Sequence, residues 1–270
     1  MTDTLALRTA IIGLLGCTAV EEELLLAAIP RAGAAQGSPD RWAAAPLIAH
    51  NTEFKRQQVQ RLDAIRGGET PPAFAEIDHR SGEVYRRYSQ QSASVVAQGS
   101  RDTTAALIDG LSATSDDDLL DPSRNPWLAG RQLWLQVIVR GFWHPMGHIG
   151  EYYAGHAEPG RASAMQSHAV AVAEYLKAPD PARGMAYYNL ACARAQAEVA
   201  GTQAVVAGTQ AEAAGTQAVV AGKQAVVACD ALGPLRRAIE LNPDLAANAG
   251  RDADLAVLRD SGQLDTLLAS

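Results

Sequence analysis

A chain of 270 residues with 47% apolar and only 5% aromatic residues is long enough to bury a sizeable core, and its high alanine content favours helix. The formal net charge of −7, with no dense run of Lys or Arg, argues against a nucleic-acid backbone as partner. Three widely spaced cysteines, Cys17, Cys192 and Cys229, with no CxxC pair, fit a reducing cytoplasm in which they serve as small apolar residues. A reactive thiol is the sharper alternative, but nothing near them in sequence would lower a thiol pKa.

Residues 4–29 carry helical spacing through Leu5, Ile12, Leu15, Leu24, Leu25 and Ile29, and Pro30 stops the run. Glu21, Glu22 and Glu23 make this segment too costly for a membrane span, so a buried amphipathic helix of a cytoplasmic protein is expected. RAGAAQGSPD reads as a loop, with Ser38 or Asp40 able to cap the next helix. WAAAPLIAHNTEFKRQQVQRLDAIRGG is that second helix, closed by Gly-Gly. A third long helix is expected over 76–109, with Val84, Tyr85, Tyr88, Val95 and Val96 as core candidates. A polar break at Asp116–Asp118 and DPSRNP follows. WLAGRQLWLQVIVRGFWHPMGHIGEYYAG is the fourth helix. Four long helices joined by loops imply an all-α four-helix bundle over 1–157, an architecture that builds metal and cofactor sites from side chains projecting inward.

Beyond the AEPGRA linker, residues 158–270 read as a second helical region. An amphipathic helix covers 162–177. Four tandem heptads, GTQAVVA, GTQAEAA, GTQAVVA and GKQAVVA, run from Gly201 to Ala228 after a degenerate copy at 194–200. Seven residues make almost two helical turns with a drift of about 20°, so units can be added without changing faces. Helix is expected for the block, a disordered linker and a functionless expansion being the alternatives.

The chemistry centres on HPMGHIGEYY. His144 and His148 lie one turn apart on one helix face, and two imidazoles so placed can share one ion at Zn–N distances of about 2.0–2.1 Å. His50, on the second helix, would complete three ligands and leave a coordination position open. Pro145 removes a hydrogen bond to Gly141 and crowds its carbonyl, so a kink there could aim His144 inward; alternatively the helix restarts at His144 with Pro145 at its first position. Gly147 would permit close approach of a helix or ligand. Ordinary packed histidines are the plainer account of HxxxH.

Glu53 shares a face with His50 and is the candidate catalytic residue, orienting a ligand or acting as general base; a solvent-facing glutamate on a polar face is the alternative. Glu151 bears the same relation to His148. Trp143, Tyr152 and Tyr153 could line a pocket or simply pack. His79, His156 and His168 have no matched partners and read as surface or loop residues. GxGxxG, P-loop and GxSxG motifs are absent from the sequence.

The long apolar first helix, His50 within WxxxPLIAHNxE and the closing HPMGHIGEYY resemble the DinB-like four-helix bundle superfamily over roughly residues 1–155. The resemblance implies a three-histidine metal site at His50, His144 and His148. It further implies activation of water or a low-molecular-weight thiol against an electrophilic small molecule. Zinc or nickel suits three imidazoles best, with iron and manganese as alternatives. AYYNLACARAQ and LRRAIELNPDL resemble the two helices of one tetratricopeptide repeat (TPR) split by the heptads, through Tyr188, Leu190, Ala191, Ala193, Ala231, Leu235, Ala238, Ile239 and Asn242-Pro243. Gly233-Pro234 departs from that pattern and places the start of the second helix at Pro234. A TPR-like segment implies a protein partner or a structural cap, which makes a non-catalytic adaptor the competing function. Self-association through the heptads, as a homodimer, is a third reading.

Overall fold

The computed structural model describes residues 4–28, 37–38, 41–74, 81–156, 158–213 and 230–269. The described residues are all-helical apart from one two-residue antiparallel pair, Gly37–Ser38 with Arg41–Trp42. The chain divides into two compact units, Met1–Ile149 and Gly150–Ser270. None of the described helices is long and apolar enough to cross a membrane.

The first unit begins with α1 (Thr4–Ala27), whose buried stripe is Leu7, Ile11, Leu15, Thr18, Glu22, Leu25 and Leu26. Steps of three and four residues put these side chains on one face. Two residues of the apolar spacing lie outside that stripe: Leu5 is 73% and Leu24 50% exposed. The inward stripe instead runs through polar Thr18 and Glu22.

Helix α2 (Ala44–Arg66) ends at Gly67, and Gly68 takes a left-handed φ of 71°. Its N-cap is Ala43, which makes no side-chain cap bond, rather than Ser38 or Asp40. Pro46 sits in the first turn, where its missing N–H leaves no helical bond unmade.

In place of one helix over 76–109 there are two, α3 (Ser81–Tyr88) and α4 (Ala93–Ala113). The break falls in a Ser-Gln-Gln-Ser run, where Ser92 Oγ accepts from the Val95 N–H at 3.3 Å and caps α4. That cap leaves Val95 outside, 57% exposed, while Val96 and Tyr85 are buried.

The expected polar break contains the short helix α5 (Asp116–Leu120), capped by Ser115, and two 3₁₀ turns at Pro122–Arg124 and Pro126–Leu128. Ala129 and Gly130 then adopt positive φ, so the last long helix starts at Leu133 and not at Trp127.

That last helix comprises α6 (Leu133–Ile138), a π-helical turn (Val139–Trp143) and α7 (His144–Gly155). The His144 N–H bonds back five residues to the Val139 carbonyl. Pro145 can donate no such bond, and the wider turn accommodates its ring without a break. The expected kink is thus realised as an inserted residue. Gly141 lies within that turn because a Cβ there would come 2.2 Å from Leu15 Cδ2 and 3.2 Å from Leu107 Cδ2. Helices α1, α2 and α4 contact one another, and the π turn contacts α1 and α2. Ile11, Leu15, Ile48, Leu62, Leu107, Leu111, Leu133, Ile138 and Phe142 are fully buried in this unit. Each such side chain contributes roughly 1.5–3 kcal/mol through removal of apolar surface from water.

In the second unit, α8 (Pro159–Tyr175) and α10 (Leu232–Leu241) each pack on α9 (Asp180–Ala213). Gly184 lets α9 and α10 approach: a Cβ there would meet Asn242 Cβ at 2.9 Å and the Ala238 carbonyl at 3.1 Å. The core combines Tyr188, Ala191 and Ala195 with Leu235, Ala238, Leu245, Leu255, Leu258 and Leu264. Helix α10 starts at Leu232, two residues before Pro234, because the Gly233 N–H is satisfied by Asp230 Oδ1 at 3.0 Å. Heptad residues Gly201–Ala213 continue α9 as helix; the rest of the repeat lies outside the described residues, as do Cys229 and His79.

Candidate metal centre

His50 projects from the second turn of α2, and His144 and His148 from the first two turns of α7. The α2 position is buried because Leu47, Ile48 and Ala49 around it are core residues. The α7 positions follow directly on the π turn. A π insertion shifts the angular register of everything beyond it, so Pro145 and Gly141 together set where His144 points.

The three imidazoles form one cluster. His50 Nε2 and His144 Nε2 are 3.2 Å apart. The ring centroids are separated by 5.2 Å for His50–His144, 5.0 Å for His50–His148 and 4.4 Å for His144–His148. One ring nitrogen from each residue lies within 4.8 Å of the others, so the group could hold a metal ion. Two nitrogens bound tetrahedrally at about 2.0–2.1 Å would sit roughly 3.3 Å apart, close to the His50–His144 separation.

The protonation state suits ligation. Burial, then the nearby His148 and Arg140, holds His50 down at about 3. Burial also pushes His144 well below the usual histidine range, helped by His148, His50 and Arg140. Both rings are therefore neutral near pH 7 and carry the free lone pair that a metal requires. The donor set fits a divalent ion of intermediate softness. One feature of a finished site is missing: the buried Nδ1 of His50 has no hydrogen-bond partner among the described residues. Ligating histidines ordinarily donate from that second nitrogen.

The walls are aromatic. Trp42 stands edge-on to His50 at 5.1 Å, and Phe54 lies 4.9 Å from His50 and 3.8 Å from His144 between ring centroids. Arg140 places its guanidinium 4.4 Å from the Phe54 ring centroid.

Other candidate residues are placed differently. Glu53 pairs with Arg56 on the same helix and is not among the groups that converge with the histidines. Glu151 is exposed. Tyr153 is buried, with Arg161 4.1 Å from its ring centroid, and Tyr152 stacks on His156 at 3.9 Å. His156, read as a surface residue, is exposed, and its Nδ1 lies 2.7 Å from the Tyr152 carbonyl. Cys17 is exposed.

A second group, Cys192, Asp252 and Asp254, also brings potential ligands within 4.8 Å. Asp252 already has a structural use there: it accepts from Tyr188 Oη at 2.8 Å and from the Asp254 N–H at 3.0 Å. Burial, then Asp252 and Asp254, raises the Cys192 thiol far above its usual range, which argues against a reactive thiolate.

Sequence reasoning missed the polar interior of α2. The helix buries Asn51, Thr52, Lys55, Gln57, Gln58 and Arg61. Only their spacing from His50 could have shown it: Phe54, Gln57 and Arg61 follow at helical intervals on the histidine's own side.

No protein-family model, no curated protein and no solved structure matches this chain significantly.

Proposed function

We propose that residues 1–155 form a DinB-like four-helix bundle that binds one divalent ion, zinc or nickel, through His50, His144 and His148, and transfers a thiol or water to an electrophilic small molecule. The observation that carries this is the 3.2 Å approach of His50 and His144 from helices 94 residues apart in sequence, with His148 on the adjoining turn. When bound, such an ion lowers the pKa of a coordinated water or thiol and so supplies the nucleophile.

The chain's own residues do the rest. The neutral imidazoles of His50 and His144 offer lone pairs beside the rings of Trp42 and Phe54. The positive charge of Arg140 disfavours protonation of His50 and His144 and keeps them available as ligands. In the second unit, the Gly184 contact with α10 and the small residues Ala191, Ala195 and Ala238 support a TPR-like helix pair acting as a structural cap.

Elemental analysis of protein loaded with zinc or nickel and desalted tests the metal reading. About one equivalent per chain is expected in the wild type, as for a three-ligand site, and a large loss in the His144→Ala/His148→Ala variant. Equal, near-zero metal in both would remove it.

A further inference from the structure

Helix α2 and the α6–α7 segment face each other through a polar ladder. His50, Phe54, Gln57 and Arg61 recur at helical spacing on one side; Gln136, Arg140, His144 and His148 recur every four residues on the other. The histidines occupy one end of this ladder. At the other lie two arginines that form no ion pair with a carboxylate among the described residues.

Arg61 is only 7% exposed, and its buried Nε has no hydrogen-bond partner among the described residues. Its guanidinium lies 4.9 Å from the Phe74 ring centroid and 5.1 Å from that of Trp127. Arg140 stands over Phe54. With its amide oriented to satisfy both, Gln136 Oε1 accepts from Arg140 Nε at 3.2 Å and from Arg61 Nη1 at 3.3 Å. Two guanidinium groups therefore converge on one neutral oxygen. Neither forms an ion pair with a carboxylate among the described residues, and nor does neighbouring Arg131. Gln57, one turn before Arg61 on α2, adds a buried amide Nε2 that also lacks a partner among the described residues.

This arrangement is unfavourable as pure structure. A buried charge needs a counter-charge, and two like charges sharing a neutral acceptor repel each other. The cost registers on Arg140, which is lowered to about 10, by burial first and then by Arg61 and Arg131. Guanidinium donors met by a single neutral amide oxygen, in a fixed fork geometry, suit an oxyanion.

We propose that Arg61 and Arg140 bind the anionic group, a carboxylate or a phosphate, of the small molecule that reacts at the histidine centre. The proposal rests on the metal reading above for the identity of that centre. Arg140 is four residues from His144, about 6 Å along the helix, so the anionic group lies roughly one turn from the reacting end of a compact substrate. Polyanions such as nucleic acid do not fit, because one pair of guanidinium groups, Arg61 buried and Arg140 half-buried, cannot track a backbone.

Isothermal titration of the metal-stripped full-length protein with inorganic phosphate, and separately with succinate, tests this and distinguishes the two anion types. At least one probe should bind wild type at a single site. Arg61→Gln and Arg140→Gln should each weaken that binding at least roughly tenfold, while Arg140→Lys, which keeps the charge but loses the fork, should retain part of it. Without anion, both Gln variants should melt at or above the wild-type temperature, since each removes an unbalanced charge. Failure of both probes to bind wild type, equal binding in all variants, or lower melting of both Gln variants would overturn the proposal. Zinc content measured on the same samples separates the two ideas. Zinc uptake without anion binding sinks the arginine proposal alone; arginine-dependent anion binding without zinc uptake sinks the metal reading alone.

Discussion

The ammonium of Lys55, on α2, lies 2.6 Å from a carboxylate oxygen of Glu22, on α1, and neither side chain reaches solvent. Ser100 donates to the same oxygen and Lys55 donates to Thr104 Oγ1 at 3.1 Å, so α1, α2 and α4 are tied by one buried network. Removing one partner strands the other charge. Lys55→Met should lower the free energy of unfolding by about 3–5 kcal/mol, while Lys55→Met with Glu22→Leu should recover most of that loss. Urea unfolding of the two single variants and the double variant measures the coupling. Additive losses would mean that the pair does not interact in solution.

Acid should destabilise the metal-free protein before its carboxylates titrate. His50 is held at about 3 against an ordinary value of 6.5, and His144 is depressed in the same direction. An unfolded chain takes up protons near pH 6.5 that the folded rings refuse, so stability is complete above that pH and is lost as pH falls. Each such histidine contributes a slope of up to about 1.4 kcal/mol per pH unit, within a window that for His50 runs from about 6.5 to about 3. Chemical denaturation between pH 7 and pH 5, with chelator present, should show the slope, and His50→Leu should reduce it. A flat profile in the wild type would contradict the buried, neutral state of these rings.

Gly141 is held to its size by Leu15 and Leu107. Gly141→Ala would place a Cβ 2.2 Å from Leu15 Cδ2, which must move within a fully buried environment. The expected cost is about 1–3 kcal/mol, part of it offset by alanine's better helix propensity. Adding Leu15→Ala opens the space, so the double variant should lose less than the sum of the singles. Urea midpoints check this, and an uncoupled pair would mean that the π turn does not pack on α1 as described.

The parts legible from sequence were those with a local signature. HxxxH places two imidazoles on one turn whatever else the chain does, and Gly67-Gly68 ends α2 as its composition requires. His50 had no such signal and entered through the company it keeps in WxxxPLIAHNxE. An apolar count along α1 selects Leu5 and Leu24, whereas the inward face carries Thr18 and Glu22. Glu22 is buried only because Lys55 answers it from 33 residues away, and no periodicity reports a pairing of that kind. The same holds for Arg61 and Arg140, whose convergence on Gln136 depends on how two helices face each other. Pro145 correctly marked an irregularity, but whether a helix kinks or inserts a π turn depends on the packing of Gly141 against its neighbours.

X-ray absorption at the zinc edge of the loaded protein tests the three-histidine centre most directly. The expected first shell holds three imidazole nitrogens at about 2.0–2.1 Å, and the imidazole count should fall by one in His50→Gln. A shell built from sulfur or carboxylate oxygen and unchanged by that substitution would place the ion elsewhere, and the chemistry assigned to α2 and α7 would go with it.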